Sequence, residues 1–245
     1  MLVWSERVET PAGAVVRALT GRAGGVSAPP YDGLNLGDHV GDAPQSVAAN
    51  RRAVAARVGV DPERLVVARQ VHGRQVAVVD GPWPAEPAEA DALVSREPGL
   101  VLAVLVADCV PVMLVAPDEG VVAVAHAGRR GMAAGVVPAT VDAMRRLGAG
   151  RLLATVGPSI CGRCYEVPAS LRDEVAAAAP AAASVTWAGG PALDVAAGVL
   201  AQLAAEQVEV RRLPGCTAEG PGWYSYRRDG TTGRFAGLAW REGPA

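Results

Sequence analysis

The chain has 245 residues, of which 50% are hydrophobic and 20% are charged, and this balance predicts one globular domain over residues 1–245. A net charge of -2 argues against a nucleic-acid partner, and no apolar run is long enough to cross a membrane. All 23 basic residues are arginine, which excludes a Schiff-base lysine and a phosphate-loop lysine. Because no signal-peptide pattern is present, we expect a cytoplasmic protein, and we expect a monomer or a small homo-oligomer.

The first half of the chain predicts a strand, a loop rich in Gly and Pro, a helix, and then two strands around a tight turn. In that order these segments are residues 14–19, 21–37, 44–58, 65–71 and 75–79. We expect Asp42 to cap the helix and Gly59 to end it. His72 lies in the turn between the last two strands.

The second half predicts several short apolar strands that alternate with helices. The strands are 101–106, 112–115, 121–125 and 152–156, the helices are 131–147, 168–179 and 191–206, and the tail 222–240 returns to β structure. Nearly all-apolar strands are typical of a sheet buried on both faces. We expect Pro138 to kink or delay the first of these helices. Since no strict β-α-β repeat is present, the pattern favours a single-domain α/β sandwich with mixed sheets.

Three residues have the side chains of a catalytic zinc site. His72, Cys109 and His126 each lie at a predicted element boundary with Gly or Pro close by. Two imidazoles and one thiolate suit a tetrahedral zinc with one open position for water or substrate. Copper could occupy the same three-donor site, since it binds such ligands more tightly. Spacing alone leaves open that these are ordinary structural side chains.

Three arginines are predicted to bind phosphate or another anion. Arg51 falls within the apolar stripe of the helix 44–58, where a guanidinium needs a partner or must reach the edge of the stripe. Arg129 and Arg130 open the helix after His126, where N–H groups and the helix dipole favour anions. The alternative for all three is a solvated side chain. His39 is expected to be an ordinary loop residue.

Other chemistry remains open at this point. Cys109 could be the nucleophile of a cysteine hydrolase with His126 as its base. A single-copper electron-transfer protein could use Met113 as a soft axial ligand. Cys161 and Cys164 have the spacing of a redox pair, but the sequence favours an incidental thiol pair.

The ordered set of short motifs resembles the YfiH family. This laccase-domain, or multicopper polyphenol oxidoreductase, family is now regarded as a family of purine nucleoside phosphorylases. The motifs run along nearly the whole chain: Asn35-Leu36-Gly37, Val40-Gly41-Asp42, Asn50-Arg51, Gln70-Val71-His72, Ala90-Asp91-Ala92, Ala107-Asp108-Cys109-Val110-Pro111, His126-Ala127-Gly128 with Arg130-Gly131, Gly157-Pro158-Ser159-Ile160, Cys164-Tyr165-Glu166-Val167, Tyr224-Ser225-Tyr226-Arg227-Arg228-Asp229 and Thr232-Gly233-Arg234.

The resemblance implies a zinc ion held by His72, Cys109 and His126 in a mixed-sheet α/β sandwich. It implies phosphorolysis of adenosine, inosine and methylthioadenosine, together with adenosine deamination. Three histidines are too few for the additional trinuclear cluster of a multicopper oxidase, so single-copper polyphenol oxidation is only an alternative.

Two positions depart from the family pattern. Arg129 replaces the family's usual tryptophan, so we expect it to shape nucleoside or phosphate binding. Cys164 matches the family's segment, whereas Cys161 is shifted and inherits no role. The sequence does not choose a general acid or base; the carboxylates considered are Asp91, Asp108 and Glu166.

Overall fold

The computed structural model describes residues 1–10 and 13–243, and these contain thirteen strands and six α-helices. The strands are β1 (Leu2–Val8), β2 (Val15–Thr20), β3 (Leu65–Val67), β4 (Val76–Val78), β5 (Ala92–Ser95), β6 (Val101–Val106), β7 (Val110–Ala116), β8 (Val121–Ala127), β9 (Leu153–Val156), β10 (Ala183–Val185), β11 (Pro191–Leu193), β12 (Glu209–Arg212) and β13 (Phe235–Arg241). The helices are α1 (Pro44–Val58), α2 (Arg129–Ala133), α3 (Val136–Arg146), α4 (Ala169–Ala178), α5 (Val195–Ala205) and α6 (Tyr226–Asp229). None of the described helices is both long and apolar enough to span a bilayer.

The strands form two large sheets and one two-stranded ribbon. One sheet has five strands in the order β1-β2-β13-β6-β3, and the other has six in the order β12-β9-β7-β8-β5-β4. Pairing is antiparallel in the middle of both sheets, whereas β3, β4 and β12 join as parallel edge strands. The prediction of mixed sheets is therefore confirmed.

The two sheets stack face to face, and helices cover their outer faces. Val122 and Val124 of β8 face the other sheet, where they join a core that includes Leu102 and Phe235. The alternate residues of β8 pack against α3 and α5, and the outer face of the five-stranded sheet packs against α1. Since successive strand residues point to opposite faces, a strand between two apolar layers must be apolar throughout. This arrangement explains the nearly continuous apolar runs of the sequence.

The two strands predicted on either side of His72 are present as β3 and β4, but they do not pair with each other. Strand β3 pairs with β6 in the five-stranded sheet, while β4 pairs with β5 in the six-stranded sheet. The segment that contains His72 therefore crosses from one sheet to the other. The short turn that contains Cys109 does the same, because β6 and β7 also belong to different sheets. Apolar periodicity identifies strands, but it does not identify their partners.

Three smaller predictions also need correction. The residue that caps α1 is Ala43, because the carboxylate of Asp42 accepts hydrogen bonds from Ser27 and Asn35. The helix predicted at 131–147 is two helices, which break at Gly135 with a left-handed φ of 86° and not at Pro138. The helix predicted from residue 191 begins at Val195, because β11 precedes it.

Candidate metal centre and cavity

The fold brings together the three residues that the sequence predicted as metal ligands. His72 and Cys109 lie on two of the connections that cross between the sheets, and His126 lies near the end of β8. One donor atom from each of them lies within 4.8 Å of the other two. The Cys109 Sγ is 3.9 Å from His72 Nε2, and the imidazole rings stand edge to face with centroids 4.7 Å apart. We refer to these three residues as the cavity trio.

Asp91 orients the trio from behind. Its carboxylate is fully buried, and Oδ1 is 2.8 Å from His126 Nδ1. The same carboxylate accepts the backbone N–H groups of His72, at 2.9 Å, and Gly73, at 2.6 Å. The hydrogen bond at Nδ1 fixes the His126 ring and leaves Nε2 free to bind a metal. Carboxylates commonly hold metal-bound histidines in this way. In the sequence Asp91 is a candidate acid or base only, and nothing there indicates that it positions His126 and the His72 loop.

The backbone around the trio is unusual. His72 and Asp108 both have positive φ angles, of 60° and 85°, which non-glycine residues adopt only when their surroundings enforce them. Gly128 follows His126 by two positions, and a Cβ there would lie 2.8 Å from the His72 ring and 3.1 Å from Cys109 Sγ. The loops are therefore held close together at the point where the three donors meet.

The electrostatics of the trio favour a thiolate. Burial raises the pKa of the Cys109 thiol, but the charges and hydrogen bonds of His126 and His72 outweigh it and hold that pKa at about 6. Burial lowers the pKa of His126, whereas Cys109 and Asp91 raise it to about 9. With these pKa values the thiolate pairs with a protonated His126, and a bound metal would take the place of that proton, because metal ligands must lose their protons.

The donor set fits a divalent metal. The trio provides two nitrogens and one sulfur, and Asp91 supports it as an outer-shell carboxylate. Three protein ligands leave one position for water or substrate, which is the arrangement of catalytic sites. Zinc and copper both accept this donor set.

The trio lies in the wall of a cavity of about 580 Å³. The apolar part of its lining comprises Leu105, Val106, Ile160 and Val195, together with Tyr165 and Tyr226. The charged and polar part comprises Arg129, Arg227, Arg234, Gln70, His39 and the acidic Asp108. A volume of this size with few convergent polar groups is typical of a small-molecule site.

The three arginines predicted to bind phosphate lie in different places in the structure. Arg129 lines the cavity, whereas Arg51 and Arg130 do not. Arg51 donates to the Leu36 carbonyl at 2.9 Å and pairs with Asp38 at 3.1 Å. Arg130 is exposed and donates to the Val71 carbonyl at 3.2 Å. A role of either one in phosphate binding stays a prediction.

Two further arginines of the cavity, Arg227 and Arg234, were quoted in the family motifs but given no role. Arg227 stacks over the Tyr165 ring at 4.9 Å. Arg234 donates to the carbonyls of Thr232 and Gly233. Within the described part of the chain, neither of these two nor Arg129 forms an ion pair with a carboxylate. Burial lowers the pKa of Arg234, and the negative charges of Cys109 and Asp108 offset only part of that effect.

Of the remaining sequence candidates, Asp108 and His39 line the cavity, whereas Glu166 and Met113 do not. Both oxygens of Asp108 are engaged, by the Thr217 hydroxyl at 2.6 Å and the Arg227 N–H at 2.7 Å. Glu166 is exposed and is not among the residues that line the cavity. Met113 is buried in the core between the sheets and does not line the cavity either. His39, which we expected to be an ordinary loop residue, does line it.

Known proteins share this fold and sequence along nearly the whole chain. The model of a family described as multi-copper polyphenol oxidoreductase laccase matches residues 16–242. The chain belongs to this family. YlmD from Geobacillus stearothermophilus superposes with a TM-score of 0.86 at 33% identity, covering 95% of this chain and 94% of its own. YfiH from Bacillus licheniformis superposes with a TM-score of 0.84 at 28% identity over 93% of both chains. The predicted YfiH-like sandwich is thus confirmed.

The curated relatives of the chain are called purine nucleoside phosphorylases. One from Streptomyces coelicolor is 58% identical over 90% of this chain and 93% of its own length. One from Mycobacterium tuberculosis is 48% identical over 92% of both chains. The family description names polyphenol oxidation, whereas the names of the relatives refer to nucleoside phosphorolysis. The residues of the cavity must therefore be compared with the needs of each reaction.

Proposed function

We propose that this chain is a zinc-dependent purine nucleoside phosphorylase that cleaves adenosine, inosine and methylthioadenosine, and that it also deaminates adenosine. The names of the relatives support the first activity. The observation that carries the proposal is that the cavity of the trio also contains three arginines that form no ion pair with any carboxylate of residues 1–10 and 13–243. Phosphorolysis needs a bound anion next to the nucleoside, whereas polyphenol oxidation and cysteine-dependent hydrolysis do not.

The cavity can bind both substrates. Arg129, Arg227 and Arg234 would hold phosphate, because guanidinium groups form charge-assisted and bidentate bonds with phosphate oxygens. The apolar wall and the Tyr165 ring would receive the flat purine. In the reaction a phosphate oxygen bonds to C1′ of the ribose while the bond from C1′ to the purine nitrogen breaks. The products are ribose 1-phosphate and the free purine.

The trio would bind the metal, and Asp91 would hold its ligands in position. Zinc, when bound, supplies Lewis-acid chemistry that orients an oxygen or lowers the pKa of a bound water. Asp91 keeps the His126 ring in position and holds the backbone of the His72 loop. Deamination replaces the amino group at C6 of adenine with a water oxygen and releases ammonia. It would therefore depend on the trio but not on bound phosphate.

One observation favours a second candidate, a cysteine hydrolase. Asp91, His126 and Cys109 form the acid–base–nucleophile order of a catalytic triad, and the pKa of Cys109, at about 6, would suit a nucleophile. Such an enzyme has no need of His72, whose Nε2 lies beside the same sulfur. The metal dependence of activity separates the two candidates.

The test is elemental analysis of the native protein combined with chelation. We expect zinc in the protein, loss of nucleoside phosphorolysis on removal of the metal, and recovery when zinc is restored. Activity that survives complete removal of the metal would support the hydrolase. Native copper with polyphenol oxidation and no phosphorolysis would support the oxidoreductase instead.

A further inference from the structure

A second group of metal-type donors lies outside the cavity trio. Cys161, Cys164, Cys216 and Glu219 each offer one donor atom, and these four atoms lie within 4.8 Å of one another. We call these four residues the second cluster. None of them lines the cavity, and the proposed reaction uses none of them.

The four donors come in two pairs with the same spacing. Cys161 and Cys164 are three positions apart, as are Cys216 and Glu219. Each pair lies on a tight hydrogen-bonded turn. In the first turn the N–H groups of Cys164 and Tyr165 donate to the Cys161 carbonyl at 3.0 and 3.1 Å. In the second, Glu219 and Gly220 donate to the Cys216 carbonyl at 3.3 and 3.0 Å.

The two turns face each other through their donors. The Cys161 N–H donates to Cys216 Sγ at 3.3 Å, and the Cys164 thiol donates to Glu219 Oε1 at 3.2 Å. Two turns that each present ligands three positions apart are the usual construction of structural zinc sites, in which C-x-x-C pairs supply the sulfurs. An N–H bond to the sulfur is the kind of support that orients a metal-bound thiolate.

We propose that the second cluster binds a second zinc ion in a closed, structural site. Three thiolates and one carboxylate complete a tetrahedral set, so no position is left for substrate. Soft sulfur ligands select zinc over magnesium or calcium. The guanidinium of Arg228, which pairs with Asp229, donates to the Thr217 and Gly220 carbonyls at 2.9 and 3.0 Å and so braces the turn that carries Cys216 and Glu219.

The second zinc would join the two segments that form one wall of the cavity. The segment with Cys161 and Cys164 also carries Ile160 and Tyr165, and the segment that follows Cys216 carries Tyr226 and Arg227. The Thr217 hydroxyl further binds the carboxylate of Asp108, the residue before Cys109. A metal at this place would therefore fix the distance between Tyr165 and Arg227 and support the backbone next to the trio.

A disulfide or a redox dithiol is the rival explanation. A reactive C-x-x-C pair usually lies at a helix N-terminus, where the dipole stabilises the thiolate. Here the described helix that follows, α4, begins only at Ala169. A disulfide between any two of the cysteines would also leave the third thiol and Glu219 without a role in the cluster.

The test starts with the native protein and does not depend on its activity. We expect two zinc ions per chain and expect all four cysteines to be reduced. Thiol labelling should modify them only after the metal is removed. Cobalt(II) in place of zinc should give thiolate-to-metal charge-transfer absorption. One metal per chain in protein whose second-cluster thiols react freely, or a mapped disulfide among them, would overturn the proposal while leaving the proposed function intact.

Matched variants assign each metal to its cluster. Cys216→Ser should lower the zinc content from two ions to one, remove most of the cobalt charge-transfer band and lower Tm. Cys109→Ala should also leave one zinc, but it should keep most of the cobalt band. If Cys216→Ser keeps both metals and the full band, the assignment is wrong. If it does not fold, the labelling and cobalt measurements on the native chain still decide.

Discussion

The cavity trio and the second cluster use similar donors in opposite ways. The trio has three donors, borders a cavity of about 580 Å³ and rests on loops in which His72 and Asp108 adopt positive φ angles. The second cluster has four donors on two hydrogen-bonded turns and does not line that cavity. An open set can accept substrate, whereas a closed set can only hold chain segments together. The number of donor atoms and their accessibility, more than their chemical type, would therefore distinguish a catalytic metal site from a structural one.

The largest effect is expected from Cys109→Ala, which tests the catalytic role of the trio. With one of three donors lost, the trio should release its metal, and kcat/KM for phosphorolysis should fall by about a hundredfold or more, since a bound metal stabilises the transition state by several kcal/mol. The measurement is metal content alongside initial rates. Cys216→Ser is the matched control, because it should lose the other metal and keep the trio's. Full activity and two zinc ions in Cys109→Ala would contradict the assignment of the trio.

The support behind the trio is tested by Asp91→Asn. The variant keeps the shape of the side chain but weakens its hold on His126 and on the His72 loop, so zinc affinity should fall by about 10–100-fold. Competition with a chromophoric chelator measures this affinity. Asp42→Asn is a suitable control, because Asp42 also accepts hydrogen bonds within a loop but does not contact the trio. Equal losses of zinc affinity in the two variants would mean that Asp91 acts only through stability.

The cationic side of the cavity is tested by Arg234→Gln. The KM for phosphate should rise by about tenfold or more, as expected from losing a charge-assisted bond of roughly 1.5–3 kcal/mol. Adenosine deamination, which uses water, should change much less. Arg51→Gln is the control, since Arg51 is already paired with Asp38 and lies outside the cavity wall. A larger phosphate effect in Arg51→Gln than in Arg234→Gln would restore the sequence-based assignment.

The smallest effect is expected from Arg129→Trp. Arg129 lines the cavity where the family usually has tryptophan, and the change replaces a planar cation with an apolar face. We expect the ratios of kcat/KM among adenosine, inosine and methylthioadenosine to shift while zinc content stays unchanged. Unaltered ratios together with an unaltered KM for phosphate would remove Arg129 from the substrate site.

Part of the site could be predicted from sequence, because its ligands have rare side chains. With three histidines in the chain, His72 and His126 were easy to single out, and Cys109 followed from its place after an apolar run. Arg227 and Arg234 could not be chosen among 23 arginines, since Arg227 lies in a four-residue helix that is too short to show a periodic pattern and Arg234 lies just before β13. What distinguishes them is their position in the lining of the cavity, which depends on the tertiary structure.

For the fold, too, the sequence reveals features that depend on local patterns and not those that depend on long-range contacts. Central strands such as β7 and β8 were recognisable because both their faces are buried. Strand β1 was missed because its residues are all partly or well exposed, and β12 was missed because it is exposed throughout. The crossovers at His72 and Cys109 were invisible in the sequence because strand partners depend on contacts far apart along the chain. These two crossovers are what create the trio.

The most direct test of the central claim is to follow phosphate and ribose 1-phosphate by phosphorus NMR, and inosine and hypoxanthine by chromatography, while zinc is titrated into metal-free protein. We expect one ribose 1-phosphate to form for each hypoxanthine released, at a rate that rises with occupancy of the cavity trio. Release of hypoxanthine without consumption of phosphate, or at a rate that does not depend on zinc, would contradict a metal-dependent phosphorolysis in this cavity.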